Sequence, residues 1–305
     1  LLAAPPPRAT TRFAPAPTGY LHLGHVADAI HVWGIAHAAR GRVALRIEDH
    51  DRQRSRRSFE TALLDDLEWL GFRPDLPQLA ELRDGRSPFR QTDDDEPYAL
   101  ATAALLRDGL AYACDCTRST FARWSESTGR LWMGPGCPGD CRGRRLVDEP
   151  GRTLRLDLGG GDEAFEDLLL GLVEGPVATT GDVAIRDREG NRTYNLAVVV
   201  DDIRHGVDLV VRGRDLVEAT PAQIRLGRVL GRDRPPAFAH HSLGLRPDGA
   251  KLSKSDHDTG VRELRAAGWS PERVIGQAAG AVGLVEAGRD VGAEDVADLF
   301  TLPPA

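Results

Sequence analysis

A chain of 305 residues with 41% hydrophobic content, and without an apolar run near bilayer-spanning length, reads as a globular protein of about two domains. Its net charge of −7 argues against wholesale coating of nucleic acid, while leaving room for a local arginine-rich face in "DRQRSRR" (51 to 57) or "CRGRR" (141 to 145). The opening "LLAAPPPRA" lacks the basic flank and long apolar core of a signal peptide, so a cytoplasmic chain with no membrane partner is expected.

"TRFAPAP" (11 to 17) reads as a strand running into a proline-limited turn, and "GHVADAIHVWGIAHAAR" (24 to 40) as a helix. "VALRIEDHD" (43 to 51) follows as a buried strand with acidic residues at its end. "SFETALLDDLEWLGF" (58 to 72) is an amphipathic helix with Phe59, Leu63, Leu67 and Leu70 on one side. Residues 100 to 190 differ in texture, with four cysteines, many Gly and Asp, and antiparallel-looking runs such as "RTLRLDL" (152 to 158). Beyond them, "LAVVVDD" (196 to 202) and "DLVVRGRD" (208 to 215) look like core elements. "TPAQIRLGRVLG" (220 to 231) is a helix capped by Thr220 with Pro221 at its first position, and "PAFAHHSL" (236 to 243) is a strand. "SPERVIGQAAGAVGL" (270 to 284) is a late helix.

This order predicts an α/β fold: a Rossmann-like parallel-sheet nucleotide-binding domain split by a zinc-containing insertion, with a short C-terminal helical segment. The halves of the catalytic domain are 10–99 and 191–258, the insertion is 100–190, and the helical segment is 259–305. Ligands of such sheets sit at the C-terminal ends of the strands, so Arg12, Glu48, Arg212 and the "KLSKS" loop are expected to converge.

Cys114 and Cys116 in "YACDCT" and Cys137 and Cys141 in "GCPGDC" form two close pairs. In a reducing compartment such pairs fit one tetrahedral zinc, the alternative being four unrelated buried thiols. In "PTGYLHLGH" (17 to 25), His22 and His25 flank Gly24 at a helix start, where the backbone and two imidazoles favour an anion. The same histidines are open to reading as metal ligands or ordinary helix-start residues. Both lysines of the chain, Lys251 and Lys254, stand in "GAKLSKSD", although Lys and Arg together number 39. A compact, mobile ammonium suits a moving phosphate where a planar guanidinium does not; the alternative is a composition that writes Arg for surface cations.

"RFAPAPTGYLHLGH", "LRIEDHD", "YNLAVVVDDIRHGVDLVVRGRDLVEATPAQI" and "KLSKS" together resemble the class I aminoacyl-tRNA synthetases, in their glutamyl branch. Within it the pattern is most similar to the shortened glutamyl-queuosine tRNA(Asp) synthetases, over roughly residues 11 to 285. The resemblance implies ATP and Mg²⁺ at His22, Gly24, His25, Lys251, Ser253 and Lys254, with His22, His25, Lys251 and Lys254 catalytic. It implies L-glutamate at Arg12, Ala14, Ala16, Glu48, Tyr194 and Arg212, and Zn²⁺ at the four cysteines. A glutamate has two carboxylates and one ammonium; Arg12 and Arg212 suit the former and Glu48 the latter. The family usually has Ser where this chain has Ala16, a loss of about 0.5 to 1.5 kcal/mol if nothing replaces the hydroxyl.

About fifty residues follow "KLSKS", too few for a large anticodon-reading domain. The resemblance therefore implies a monomer whose partner is the anticodon loop of tRNA(Asp), with glutamate esterified to queuosine at the wobble position. The competing expectations are a truncated glutamyl-tRNA synthetase charging the 3′-terminal adenosine, an H-x-G-H nucleotidylyltransferase, and a tRNA-binding paralogue without chemistry.

Overall fold

Strands β1 (Thr10–Phe13) and β2 (Arg42–Leu45) pair in parallel, Thr10 opposite Arg42 and Phe13 opposite Leu45, with helix α1 (Leu23–Ala38) crossing between them. Two parallel strands need such a crossover, because a tight turn can only reverse the chain. Helix α1 buries nearly its whole length, from Val26 to Ala36 apart from Asp28, as a helix apolar on all sides must. Helix α2 (Arg57–Leu70) lays Leu63, Leu64, Leu67 and Leu70 into the same core, while Phe59 stays half-buried against the Tyr20 ring.

This computed structural model describes residues 3–129, 136–177, 181–242 and 260–300; Lys251, Ser253 and Lys254 lie outside the described residues. Helices α3 (Leu79–Asp84) and α4 (Glu96–Arg107) lead to an antiparallel sheet of β3 (Ala111–Cys114), β4 (Thr153–Leu156) and β7 (Ala184–Arg186). Helix α5 (Arg118–Thr128) lies between β3 and β4 in sequence. The hairpin β5 (Asp162–Asp167) and β6 (Gly171–Pro176), placed with the insertion in sequence, pairs instead with strand β9 (Ala237–His241). With β8 (Leu209–Gly213) these form a four-stranded sheet of order β6-β5-β9-β8, in which β8 and β9 are parallel. β1 runs beside β8, tied by the Asp208 amide to the Thr10 carbonyl at 3.0 Å and the Thr10 amide to Asp208 Oδ1 at 2.7 Å. The two sheets thus bring the ends of β1, β2, β8 and β9 to one side.

"LAVVVDD" is part of helix α6 (Tyr194–Arg204), although its valines favour strands. Leu196 to Asp202 are all buried there, so tertiary packing overrides intrinsic preference. Thr220 does not cap helix α7 (Thr220–Val229): a 3₁₀ turn from Arg214 runs directly into it, and the Thr220 hydroxyl donates back to the Leu216 carbonyl at 3.0 Å. Short helix α8 (Val261–Ala266) precedes α9 (Pro271–Ala281), which starts as its sequence dictates. Ser270 Oγ accepts from the Arg273 amide and Pro271 takes the first position. Helix α9 and the 3₁₀ segment Ala293–Leu299 cover the outer face of α1.

At Gly34 of α1 a Cβ would stand 2.2 Å from the Phe300 ring and 2.8 Å from the Val296 carbonyl oxygen. Gly34→Ala is therefore expected to lower unfolding free energy by about 1 to 3 kcal/mol in denaturant titration, by forcing the C-terminal segment off α1.

Candidate active site

The turn after β1 delivers His22 and His25 to the N-terminus of α1. His22 is the N-cap, its Nδ1 accepting from the Gly24 amide at 3.1 Å, while His25 Nδ1 accepts from the His22 amide at 3.2 Å. With both Nδ1 atoms accepting, each neutral ring carries its proton on Nε2 and presents a donor on its other edge. The rings lie 4.0 Å apart at the positive end of a 16-residue helix, an arrangement that suits an oxyanion. Gly24 is half-buried between them.

The residues flanking 243–259 are anchored to the same helix. His241 Nε2 meets Asp28 Oδ1 of α1 at 2.8 Å. Gly260 bridges His22, and the Val261 amide donates to the Leu21 carbonyl at 2.9 Å. Both ends of the stretch containing Lys251 and Lys254 are thus held at α1.

At the strand ends lies a buried ionic cluster. Arg46, fully enclosed, reaches Glu48 at 2.8 Å, Asp202 at 2.6 Å and Asp201 at 3.6 Å. Arg12 donates from Nε to the same Asp202 oxygen at 3.2 Å and from Nη1 to the Val211 carbonyl at 3.0 Å. Burial opposes the charge on Arg46, but Asp202, Glu48 and Asp201 outweigh it and hold the guanidinium protonated. Burial likewise opposes ionisation of Asp202, yet Arg12 and Arg46 keep its carboxyl below the ordinary range. The Tyr194 hydroxyl lies among Arg212, Glu48, Arg12 and Asp202, and burial lifts its pKa, so it remains a neutral phenol.

Arg212, at the end of β8, is buried differently. Its Nε donates to His240 Nε2 at 3.0 Å, Nη1 to Gln223 Oε1 at 2.7 Å and Nη2 to Thr220 Oγ1 at 2.7 Å. Burial pulls its pKa below that of an ordinary guanidinium, and Arg12 adds to the effect. Every hydrogen-bond acceptor the described residues give Arg212 is neutral, so an arriving carboxylate finds a desolvated cation. Ala14 is half-buried and Ala16 exposed at the mouth. A cleft of about 290 Å³ opens nearby, lined by His50, Asp51, Gln53, Asn191, Arg192 and Thr193, the last next to Tyr194 in the chain.

The structure therefore brings together Arg12, Glu48, Tyr194 and Arg212, with Arg46, Asp202, Gln223 and His240 as members sequence reasoning missed. Arg46 and Glu48 alternate on one strand face in "RIE", and Asp202 ends an apolar run; such charges facing a core were the available signal.

The four cysteines form a separate, buried cluster. Their Sγ atoms all lie within 4.8 Å of one another, with Cys116 3.4 Å from Cys141 and 3.8 Å from Cys137. A zinc tetrahedron with Zn–S of about 2.3 Å requires sulfurs about 3.8 Å apart. Four mutually close thiols cannot all ionise without a cation among them, so the donor set fits that ion. Arg155 Nε approaches Cys114 Sγ at 3.2 Å, and Cys137 is tied through its backbone to Asp182. Among the described residues this is the one such cluster of metal-ligand side chains.

Residues 8–283 match the family described as tRNA synthetases class I (E and Q), catalytic domain. The chain is 41% identical over 299 residues to the glutamyl-Q tRNA(Asp) synthetase of Symbiobacterium thermophilum, covering 95% of this chain and 92% of that one. To the enzyme of the same name from Rhodobacter capsulatus it is 37% identical, covering 87% and 99%. It is also 37% identical to glutamate–tRNA ligase 2 of Syntrophus aciditrophicus, but spans only 62% of that protein. Among solved structures, the glutamate tRNA ligase of Elizabethkingia meningosepticum in complex with its amino acid superposes with a TM-score of 0.78. That pair is 26% identical, over 96% of this chain and 65% of that one.

The ionic cluster sets an acid limit on stability. Because the native pKa of Asp202 is lowered, its contribution is complete above the unfolded value of about 3.9 and is lost as pH falls through the native value. Asp202→Asn is expected to cost about 3 kcal/mol at neutral pH, leaving Arg12 and Arg46 short of counter-charge. It should also flatten the loss of stability below pH of about 4, measured by denaturant titration across pH.

Proposed function

Because the chain belongs to the class I tRNA synthetases of the glutamate and glutamine type, we propose that it is a ligase activating L-glutamate with ATP and passing it to queuosine in the anticodon loop of tRNA(Asp). The observation that carries the reading is the convergence of Arg12, Arg212, Tyr194 and Glu48 at strand ends beside the N-terminus of α1. The nearly full-length likeness to two glutamyl-Q tRNA(Asp) synthetases supports the acceptor.

Arg212 and Arg12 hold the substrate's carboxylates, Glu48 its ammonium, and Tyr194 donates from its neutral phenol. A glutamate α-carboxylate oxygen attacks the α-phosphorus of ATP, the bond to pyrophosphate breaks, and glutamyl-adenylate forms. His22 and His25 donate from Nε2 to phosphate oxygens, and Lys251 and Lys254 supply ammonium cations for the charge that develops there. Mg²⁺, arriving with ATP, neutralises phosphate charge. A hydroxyl of the queuosine cyclopentenediol then attacks the activated carbonyl; AMP leaves and an ester remains. The cleft at His50, Arg192 and Thr193 offers the acceptor an approach. Catalysis here is mainly positioning and electrostatic stabilisation, so a diol resembling a ribose needs no new catalytic residue. No described helix is long and apolar enough to cross a membrane.

Two outcomes test the reading. Glutamate-dependent ATP–pyrophosphate exchange is expected without tRNA and should fall strongly in Lys254→Ala. With labelled glutamate, label should appear on queuosine-containing tRNA(Asp), be absent from the guanosine form, and be released by mild alkali. Label on the terminal adenosine of tRNA(Glu) would instead support an ordinary glutamate–tRNA ligase, the family of the relative matched over 62% of its length.

We also propose that Cys114, Cys116, Cys137 and Cys141 hold one structural Zn²⁺, since four thiolates leave no coordination position open for chemistry. Elemental analysis should find about one zinc per chain, and Cys137→Ser should lower both metal content and thermal stability. Metal-free protein of normal stability, purified without chelator, would count against it.

A further inference from the structure

Behind Arg212 stands a second, fully buried pair that the adenylation reading leaves without a role. A guanidinium can only donate, so His240 Nε2, 3.0 Å from Arg212 Nε, must be an unprotonated acceptor. The ring proton then sits on Nδ1, 2.6 Å from Asp167 Oδ2. Asp167 is itself pinned: its carboxylate also accepts from the amides of Leu169 at 2.9 Å, Leu170 at 3.0 Å and His240 at 3.0 Å. Asp167 and His240 are each only 1% exposed, so the ring is fixed from both sides and has no solvent to turn into. Burial keeps the imidazole neutral, its pKa below the ordinary value despite Asp167.

The contrast with the neighbouring arginines is informative. Arg12 through Nε and Arg46 through Nη1 both bind Asp202 directly, which neutralises them and takes one donor of each for a carboxylate. A carboxylate against Arg212 would likewise compete with a substrate. One placed an imidazole away stabilises the cation without taking its outward donors. The Asp167 charge also makes His240 a stronger acceptor and leaves Arg212 one orientation.

We infer that Asp167 and His240 are positioning residues that aim Arg212 at a substrate carboxylate while holding its counter-charge one ring away. The inference rests on the proposed role of Arg212 in glutamate activation. Neither residue touches the substrate; both act through the guanidinium. The signature is selective: glutamate binding weakens when the acceptor is lost, while ATP binding at the N-terminus of α1 does not.

The test compares His240→Leu with His240→Gln in ATP–pyrophosphate exchange on the full chain. Leu removes the acceptor; Gln offers Oε1 in its place. Leu is expected to raise the glutamate KM by about tenfold or more with the ATP KM and kcat within about threefold, and Gln to recover most of the loss. In wild-type protein with ¹⁵N-labelled histidine, NMR should show a buried ring protonated at Nδ1 and bare at Nε2, whose signals vanish in His240→Gln. An Nε2-protonated ring, an unchanged glutamate KM in His240→Leu, or equal losses in every parameter with no rescue by Gln would each overturn the inference. If wild-type protein shows no glutamate-dependent exchange, the activation reading falls by itself, and the tautomer spectrum still decides the state of the pair.

Discussion

Arg46 is the constraint on which the rest of the site depends. A fully enclosed guanidinium is tolerable only when carboxylates converge on it, and here they come from two elements far apart in sequence: Glu48 after β2, and Asp201 and Asp202 on α6. Because Asp202 also takes Arg12, the cluster joins β1, β2 and α6 at fixed distances. Helix α6 belongs to the second half of the chain, so these ion pairs set where Tyr194, at its N-terminus, meets the first half. Replacing such a cluster with apolar residues need not cost stability. What it supplies is one register of strands against helix, with Glu48 held by Arg46 rather than turned to solvent.

Within that frame the three arginines divide by partner. Arg12 and Arg46 share Asp202, whereas Arg212 makes its contacts with His240, Gln223 and Thr220. The difference is electrostatic. A desolvated cation with neutral partners has the most to gain from an incoming carboxylate, and burial already pulls the Arg212 pKa down. Helix α1 offers the complementary chemistry for an anion. Its N-terminus and two Nε2 donors present positive potential, and the chain on either side of residues 243–259 is anchored there through His241 and Gly260. The cysteine cluster stands apart, with Cys137 tied to Asp182 by a pair of backbone hydrogen bonds.

Much of this was legible in the chain. The βαβ opening, helix α2, the strand at "PAFAHH" and helix α9 follow from apolar periodicity, proline and capping, which are local signals. One reading failed, and two features had no local signal, where local and tertiary forces compete. The valine run of α6 names no secondary structure, because a segment buried on all sides loses its periodicity. Thr220 has the chemistry of a cap, but the preceding 3₁₀ turn makes it an interior residue, and its hydroxyl serves Leu216 and Arg212. The β5–β6 hairpin lies within residues 100–190, read as the insertion, yet pairs with β9 through Asp167 and Phe238, a contact 71 residues apart that no periodicity encodes.

The sequence by itself determined which groups are available: arginines and an acid, histidines at a helix start, two lysines in one motif, and four thiols in two pairs. Residue type and short spacing carry that information because they fix which groups are present and which helix end or turn presents them. Only the tertiary structure decided how their charges are apportioned: that Asp202 neutralises Arg12 and Arg46, that Arg212 rests on His240 with Asp167 behind it, and that the cysteines meet at zinc-like distances. The reason is that charge pairing and burial depend on distances between elements up to two hundred residues apart, set only when the strands and helices pack.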